Sequence, residues 1–201
     1  MTDGLTAVDP RRPRAEGGAW LNLGCGTHTA PAPWWNVDVV RDGETQPDEV
    51  VPRGTLPYLV DSCARVMLSH LMEHVPWGQP LLDVLTDCRR LLAPGGTLLA
   101  IGPDAKRTAT LWKQGQLHDE LMWSVLEHAN GPQDLVGDWP EARHWWNCTE
   151  ARMVLALETA GFANVAPWSV PEYASVYYGD GWPIVGPAAW QCGAIATAPD
   201  A

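Results

Sequence analysis

The sequence predicts a single-domain α/β fold with a doubly wound, mostly parallel sheet. Apolar, strand-like runs alternate with helical patterns along the 201 residues. Such alternation is typical of a parallel sheet with helices on both faces. A chain of this length can also bury one sizeable core without disulfides or metals to stabilise it. Ligands of such sheets bind at the carboxyl ends of the strands.

Three short apolar segments predict strands in the first third of the chain, at 20–23, 36–40 and 64–68. A brief apolar pair at 50–51 lies between the last two. The first segment runs into Gly24-Cys25-Gly26, and prolines before the second segment exclude a regular helix there. The connection between the first two predicted strands is therefore unusually short.

The central part of the chain predicts a helix followed by a buried strand. Over 80–93, apolar residues recur three and four positions apart, which indicates a helix with one buried stripe. A Pro-Gly-Gly sequence at 94–96 ends this helix. The continuous apolar run at 97–101 predicts a strand buried on both faces. Residues 106–129 have a less regular, mixed helical pattern.

A second helix is predicted to begin near residue 147. Asn147 is the expected N-cap, with Glu150 reaching back to it as in a capping box. Its predicted inner face consists of Ala151, Val154, Leu157 and Ala160. Gly161 ends the helix, and two late strands are expected around Val165 and over 193–198.

The charge balance excludes several classes of partner. The formal net charge is −11, and an acidic surface repels phosphate backbones, so nucleic acid is an unexpected partner. The basic cluster of Arg11, Arg12 and Arg14 lies in a Pro/Gly-rich leader, for which we predict a disordered arm over 1–18. No run of about 18 apolar residues is present, so no membrane span is expected.

The cysteine pattern favours a reducing compartment. The chain has five cysteines, an odd number without a C-x-x-C pair, which indicates a cytoplasmic protein and argues against a cysteine-based zinc site. Cys25, inside the glycine-rich turn, is expected to be a small packing residue, since nothing nearby in the sequence would lower its pKa.

The turn at Gly24-Cys25-Gly26 lacks the third glycine of a dinucleotide site and the lysine of a triphosphate-binding loop. Its backbone can approach a ligand closely, but no helix N-terminus follows to receive a phosphate. Asp38, at the end of the second predicted strand, could accept hydrogen bonds from both hydroxyls of a ribose. A nucleoside-like ligand without phosphates fits this pattern best.

The segments "LNLGCG" (21–26) and "NVDV" (36–39) resemble the first two motifs of class I S-adenosylmethionine-dependent methyltransferases, especially a small subgroup with a shortened first crossover. The resemblance continues through "LPY" (56–58), "ARVMLSHLMEHV" (64–75), "CRRLLAPGGTLLAIGPD" (88–104) and "ALETAGFANV" (156–165). It implies a Rossmann-like sheet with an antiparallel last strand and S-adenosylmethionine as the cofactor. The implied domain covers 19–201, and residues 105–143 form a substrate-side insert.

The resemblance also implies the site residues. The expected cofactor-binding residues are Asn22, Leu23, Gly24, Cys25, Gly26, Asp38, Val39, Ser69 and His70. His70 would lie beside the transferable methyl group, either as a base for an acceptor hydroxyl or amine or as a residue that lines the pocket. The expected acceptor is a small molecule or a saccharide, because the Asn/Asp-Pro-Pro-aromatic and Pro-Cys motifs of DNA base methylation are missing.

Two alternatives remain open at the level of sequence. Asn22 stands where the family often has an acid, and no acid lies near Arg53, so a non-catalytic methyltransferase-like binding or interaction module is one alternative. The other is a zinc hydrolase, because His70 to His74 reads H-x-x-E-H, an inverted zinc-protease signature, for which Glu150 could supply the third acid. The preferred interpretation includes no metal ligand.

Overall fold

A computed structural model describes residues 9–14, 18–26, 29–41, 45–116, 144–168 and 191–200. The strands in those ranges are β1 (Ala19–Leu23), β2 (Trp34–Asp38), β3 (Glu49–Val50), β4 (Cys63–Ser69), β5 (Leu92–Pro103), β6 (Ala163–Trp168) and β7 (Gln191–Thr197). The helices there are α1 (Gln79–Leu91), α2 (Ala105–Lys113), α3 (Glu150–Thr159) and a 3₁₀ helix (Met72–His74).

The strands form a single sheet with the order β3-β2-β1-β4-β5-β7-β6. Strand β7 runs antiparallel to both of its neighbours, β5 and β6, and every other pairing is parallel. From β1 the chain adds β2 and β3 on one side, and then adds β4 and the later strands on the other side. The direction of strand addition therefore reverses between β1 and β4. The predicted doubly wound, mostly parallel sheet with an antiparallel last strand is confirmed.

One face of the sheet, the helix-covered face, packs against α1 and α3. Leu81, Leu85 and Leu91 of α1 are 2% exposed or less, and Met153 and Leu157 of α3 are fully buried. Burying one such side chain stabilises the fold by about 1.5–3 kcal/mol, so these two helices anchor the helix-covered face of the sheet.

The boundaries of α1 and β5 differ from the prediction. Helix α1 ends at Leu91, and β5 begins at the next residue. Cys63 pairs with Leu92, and the next pairing joins Arg65 to Thr97. Residues 93–96 therefore bulge from the ladder, as expected of a Pro-Gly-Gly sequence.

The cap of α3 lies two residues later than predicted. Thr149, not Asn147, is the N-cap, and its side chain accepts a hydrogen bond from the Arg152 N–H at 3.3 Å. Of the predicted inner face, Leu157 and Ala160 are buried and Val154 is partly buried, whereas Ala151 is exposed; Met153 and Ala156 are buried as well. The capping-box pattern marked the helix start but not the residue that caps it.

The opposite face of the sheet, here called the second face, carries a smaller cluster that contains two tryptophans. Trp34 is 1% exposed and packs with Met67, Leu99 and Trp168, whereas Trp35 points to the helix-covered face. Within the described residues 24–26 and 29–33, no helix joins β1 to β2. Trp34 therefore fills part of the second face next to the short crossover.

The predicted arm over 1–18 falls within the described residues only at 9–14 and 18. Arg11 donates a hydrogen bond to Asp48 at 3.0 Å, and Arg12 makes two to Glu49, at 2.9 and 2.6 Å. Segment 9–14 is thus attached to the β2–β3 edge of the sheet.

The predicted substrate-side insert, 105–143, begins with α2, and its remainder from 117 onward lies outside the described residues. The loop at 169–190 lies outside them as well. In the described part of the chain, no helix combines the length and apolar character needed to cross a bilayer.

Candidate functional site

The register of the sheet gathers the predicted site residues at one edge. Leu23 is aligned with Val37 on one side and with Leu68 on the other. The residues that follow these three, namely Gly24, Asp38 and Ser69, therefore emerge side by side at the carboxyl ends of β1, β2 and β4. This edge also contains the reversal of strand order between β1 and β4, which is the ligand-binding position of doubly wound sheets.

Gly24 allows the chain to leave β1 by a sharp turn. Its φ of +70° lies in the left-handed region that favours glycine,. A Cβ at this position would lie 2.7 Å from Leu71 Cδ1, so the backbone here packs closely against the segment that follows β4. The N–H groups of Gly24 and Cys25 both donate to the Val37 carbonyl, at 2.8 and 3.1 Å, which holds the turn against β2.

Asp38 links the glycine turn to the end of β2. Its Oδ2 accepts a hydrogen bond from the Gly26 N–H at 2.7 Å, and its Oδ1 accepts from the N–H groups of Val39 at 2.7 Å and Val40 at 3.3 Å. A carboxylate offers about four acceptor positions, and these three N–H groups occupy three of them. One position is therefore left for a ligand, and the long bond from Val40 is the weakest of the three. Among the described residues, no atom lies within 4 Å of a Cβ added to Gly26, so this part of the chain leaves open space beside the carboxylate.

The remaining predicted cofactor residues differ in accessibility. Val39 is 37% exposed at the edge, Ser69 is partly buried at the end of β4, and Leu23 packs partly buried against the core of the helix-covered face. Cys25 is buried, and burial, together with the charge of Asp38, raises the pKa of its thiol to about 12. Cys25 is thus a packing residue, as expected from the sequence.

Asn22 lies away from the open space, on the second face, where it is 1% exposed. Its Nδ2 donates to Asn36 Oδ1 at 2.9 Å. Asn36 Oδ1 also accepts from the Ala30 N–H at 2.7 Å, while its Nδ2 donates to the Ala30 carbonyl at 3.0 Å and to Asp48 Oδ2 at 2.9 Å. Asn36 therefore fixes the short crossover between β1 and β2, and Asn22 supports it.

His70 stands where the chain turns from β4 toward the 3₁₀ helix. Its φ is +53°, and its N–H donates to the Ile101 carbonyl at 2.8 Å. Such a conformation is uncommon for a residue other than glycine and is often found at functional sites. The Nδ1 atom of His70 lies 3.2 Å from Oε1 of Glu73, which is fully buried.

Glu73 is surrounded by imidazoles. Burial by itself raises the pKa of Glu73, but the contact with His70 and the charges of His70, His74 and His144 outweigh it, so the pKa of Glu73 lies below its usual value. The carboxylate therefore stays ionised. Its position depends on residues 144–146, because the Trp145 N–H donates to the Glu73 carbonyl at 2.7 Å.

The inverted zinc-protease signature requires both histidines of H-x-x-E-H on one helical face. In this structure His70 is in a left-handed turn outside the 3₁₀ helix, and His74 is at the end of that helix. The ring of His74 packs edge-on against His144 at 4.7 Å between centroids. Glu150, the acid nominated from the sequence, lies 3.6 Å from Arg107.

A cavity of about 400 Å³ lies at the opposite edge, where β1 begins. It is lined by Arg11, Arg12, Arg14, Trp20 and Pro33, among others. The guanidinium groups of Arg11 and Arg12 are paired with Asp48 and Glu49, so this cavity offers little charge to a ligand. We therefore place the candidate site at the carboxyl edge.

Three residues at the site were not singled out as site residues from the sequence. The sequence assigned Asn36 only to an apolar strand, placed Glu73 only within H-x-x-E-H, and gave His144 no role. For Asn36, the one indication in the sequence was its position directly after two tryptophans in an apolar strand. The approach of His144 to Glu73 joins residues about seventy positions apart, and no local pattern indicates it.

No protein-family model matches the chain, and no curated protein does so. Solved structures do match. A SAM-dependent methyltransferase from Methanosarcina mazei superposes with a TM-score of 0.53 at 13% identity, over 92% of this chain and 94% of the other. One from Archaeoglobus fulgidus gives a TM-score of 0.50 at 15% identity, over 90% and 86%.

The chain has the Rossmann-like fold of class I methyltransferases. The DszA carbon methyltransferase also matches, with a TM-score of 0.51 at 14% identity over 92% of this chain. The match covers 48% of that protein, so the chain spans about half its length. These superpositions show a shared fold, and at 13–15% identity any further likeness has to be argued from the site itself.

Proposed function

We propose that the chain is an S-adenosylmethionine-dependent methyltransferase whose acceptor is a small molecule or a saccharide. The observation that carries the proposal is the contact between Asp38 Oδ2 and the Gly26 N–H at 2.7 Å. It holds a partly buried carboxylate beside open space at the carboxyl edge of a methyltransferase-type sheet. A ribose diol is a suitable ligand for a carboxylate in that position, and no phosphate-binding helix is needed.

The glycine turn supports the same assignment. Gly24 packs against Leu71, and Gly26 borders the open space, so the turn presents backbone rather than side chains to a ligand. Leu23, Cys25, Val39 and Ser69 would shape the surrounding wall. In this proposal Asn22 acts through Asn36, by keeping the crossover in place.

His70 is proposed to border the transferable methyl group. The cofactor supplies the chemistry, since methyl transfer from a sulfonium is an in-line displacement, and the protein aligns the acceptor and excludes water. With Nδ1 facing Glu73, Nε2 is the nitrogen that would meet an acceptor hydroxyl or amine. A base role predicts that His70→Ala lowers kcat by about 10²–10⁴-fold, whereas a lining role predicts a change confined to KM.

The acidic balance of the chain supports a neutral or cationic acceptor. With a net charge of −11, a polyanion would be repelled unless a local basic surface received it. Arg11 and Arg12, near the start of β1, are paired with carboxylates and lie at the far edge of the sheet. A small molecule or saccharide is consistent with both facts.

The test is a calorimetric titration of the purified chain with S-adenosylmethionine and with S-adenosylhomocysteine, followed by turnover on a panel of hydroxyl and amine acceptors. We expect one cofactor per chain and methylation of at least one small acceptor. No binding at millimolar cofactor would overturn the proposal. Cofactor binding without turnover on any acceptor would instead favour the non-catalytic module.

A further inference from the structure

The Glu73 carboxylate is a buried charge, with an exposure of 0%. Its Oε1 lies 3.2 Å from His70 Nδ1, and beyond that contact neither oxygen accepts a hydrogen bond from the part of the chain that the structure describes. Oε2 packs against the backbone at Gly102, where an added Cβ would lie 3.2 Å away. Because a buried carboxylate is costly unless it is paired or bound to a metal, a group with one such contact is suited to a further cationic ligand.

Two imidazoles face the same carboxylate. One oxygen of Glu73 and one nitrogen each of His74 and His144 all lie within 4.8 Å of one another. The rings of His74 and His144 are 4.7 Å apart and inclined at 68°. The two histidines are partly buried, so an ion could reach them from solvent.

The backbone holds these groups together independently of any ion. The Trp145 N–H donates to the Glu73 carbonyl at 2.7 Å, and Trp146 Nε1 donates to the carbonyls of Met72 at 3.0 Å and Val75 at 3.1 Å. These contacts fix His144 opposite the 3₁₀ helix that carries Glu73 and His74. The cluster is therefore prearranged by the fold.

We propose that Glu73, His74 and His144 bind a divalent transition-metal ion such as Zn²⁺. Two imidazoles and one carboxylate form a ligand set that zinc uses in open sites, which keep a fourth position for water or a substrate oxygen. Two nitrogen ligands disfavour Mg²⁺ and Ca²⁺, which prefer oxygen. Ligand atoms around tetrahedral zinc are about 3.4 Å apart, so side-chain shifts of about 1 Å complete the site.

This ligand set differs from the one that H-x-x-E-H implies. The inverted signature would use His70 and His74 as ligands, Glu73 as the base and Glu150 as the third ligand. Here Glu73 is a ligand, and His144 comes from a distant part of the chain. A carboxylate has enough acceptor positions to contact His70 and an ion together, so the metal site leaves the contact between His70 and Glu73 in place.

The test uses the full chain, dialysed against a chelator and then titrated with Zn²⁺ by calorimetry, with the bound metal counted by elemental analysis after gel filtration. We expect one Zn²⁺ per chain. His74→Ala and His144→Ala should each weaken Zn²⁺ binding by more than about 100-fold, the upper end of the effect of outer-shell partners. Circular dichroism checks that both variants are folded, and a shift in the Co²⁺ absorption spectrum of each reports the lost ligand directly.

A matched control separates the two ligand sets. Glu150→Gln is expected to bind Zn²⁺ with nearly unchanged affinity. His70→Ala removes a partner of Glu73 rather than a ligand, so we expect a loss of about 10–100-fold, smaller than the loss in the His74 and His144 variants. Absence of Zn²⁺ binding by the wild-type chain would overturn the proposal. So would binding that survives in both the His74 and His144 variants, or binding that is lost in the Glu150 variant. None of these readouts depends on methyl transfer, so the proposed function is tested separately.

Discussion

The Asp38 carboxylate and the Gly26 N–H are joined by a 2.7 Å hydrogen bond that closes the space between the ends of β1 and β2. Hydrogen bonds to a charged acceptor are short and comparatively strong. The bond fixes the glycine turn and also orients the carboxylate. Asp38 thus has a structural role in the turn besides the proposed role in holding a ribose.

The two roles of Asp38 can be separated by two substitutions. Asp38→Ala is expected to weaken S-adenosylmethionine binding by about 2–3 kcal/mol, the scale for losing charge-assisted hydrogen bonds. Asp38→Asn keeps an oxygen for the Gly26 N–H and should retain more of the affinity. Calorimetry gives the affinities, and Asp83→Asn, on the exposed side of α1, is the control. Equal affinity for the wild-type chain and the alanine variant would exclude Asp38 from the cofactor site.

Gly24 is expected to tolerate substitution less well than Gly26. Both have a positive φ, so alanine at either position costs about 1–2 kcal/mol in backbone strain. At Gly24 an added Cβ also lies 2.7 Å from Leu71 Cδ1, while at Gly26 it meets no atom of the described residues within 4 Å. Urea unfolding should show the larger loss of stability for Gly24→Ala. In the double variant with Leu71→Ala the contact is absent, so its loss of stability should be smaller than the sum of the losses in the two single variants. A loss equal to that sum would refute the contact.

The sequence predicted the strands and helices of this structure better than its buried polar contacts. Apolar runs and glycine or proline breaks located β1, β4, α1 and β5, because burial and backbone geometry act locally. The second strand, predicted over 36–40, lies two residues earlier, at Trp34–Asp38, so Asp38 is its last residue in the structure. The role of Asn36 could not be predicted, because its partner Asp48 lies twelve residues away. The cap of α3 was misplaced, since Asn147 and Thr149 both suit that position and tertiary contacts decide between them.

Asn36 is expected to be a major contributor to stability. Its side chain satisfies Asn22, both backbone groups of Ala30 and the Asp48 carboxylate. Because Asn36→Ala leaves several buried partners unsatisfied, we expect it to lower the free energy of unfolding by about 2–4 kcal/mol. Gln114→Ala, which removes an exposed amide at the end of α2, is the matched control and should change it by less than about 1 kcal/mol. If urea unfolding showed similar losses of stability for both variants, Asn36 would not have this central role in the hydrogen-bond network.

The attachment of segment 9–14 should depend on pH through Glu49. The hydrogen bond from Arg12 lowers the pKa of Glu49; burial opposes this effect, and hydrogen bonds from Tyr58 and Trp35 add to it. A carboxylate with a lowered pKa stabilises the fold fully above its unfolded pKa of about 4.3. That contribution is lost as the pH falls through the folded value.

The corresponding measurement compares urea midpoints between pH 7 and pH 3 for the wild-type chain and Glu49→Gln. The stability difference between the two should be largest at neutral pH and should shrink below about pH 4. Glu158→Gln, on the exposed side of α3, controls for the loss of one carboxylate. A difference that stays constant over the whole range would show that Glu49 is not coupled to folding through its charge.

The thiol of Cys25 is expected to be almost unreactive although it lies in the proposed cofactor turn. The thiolate is the reactive form, and burial with the nearby charge of Asp38 raises the pKa of Cys25 to about 12. At pH 8 the thiolate fraction is then about 10⁻⁴, against about 0.2 for an ordinary cysteine. The other four cysteines are also buried free thiols, so iodoacetamide should label the native chain at least about 10³-fold more slowly than the chain in urea. Mass spectrometry of the tryptic peptides identifies each labelled site. Rapid labelling of Cys25 in the native chain would mean that the turn opens. The backbone on which the Asp38 assignment depends would then not be fixed.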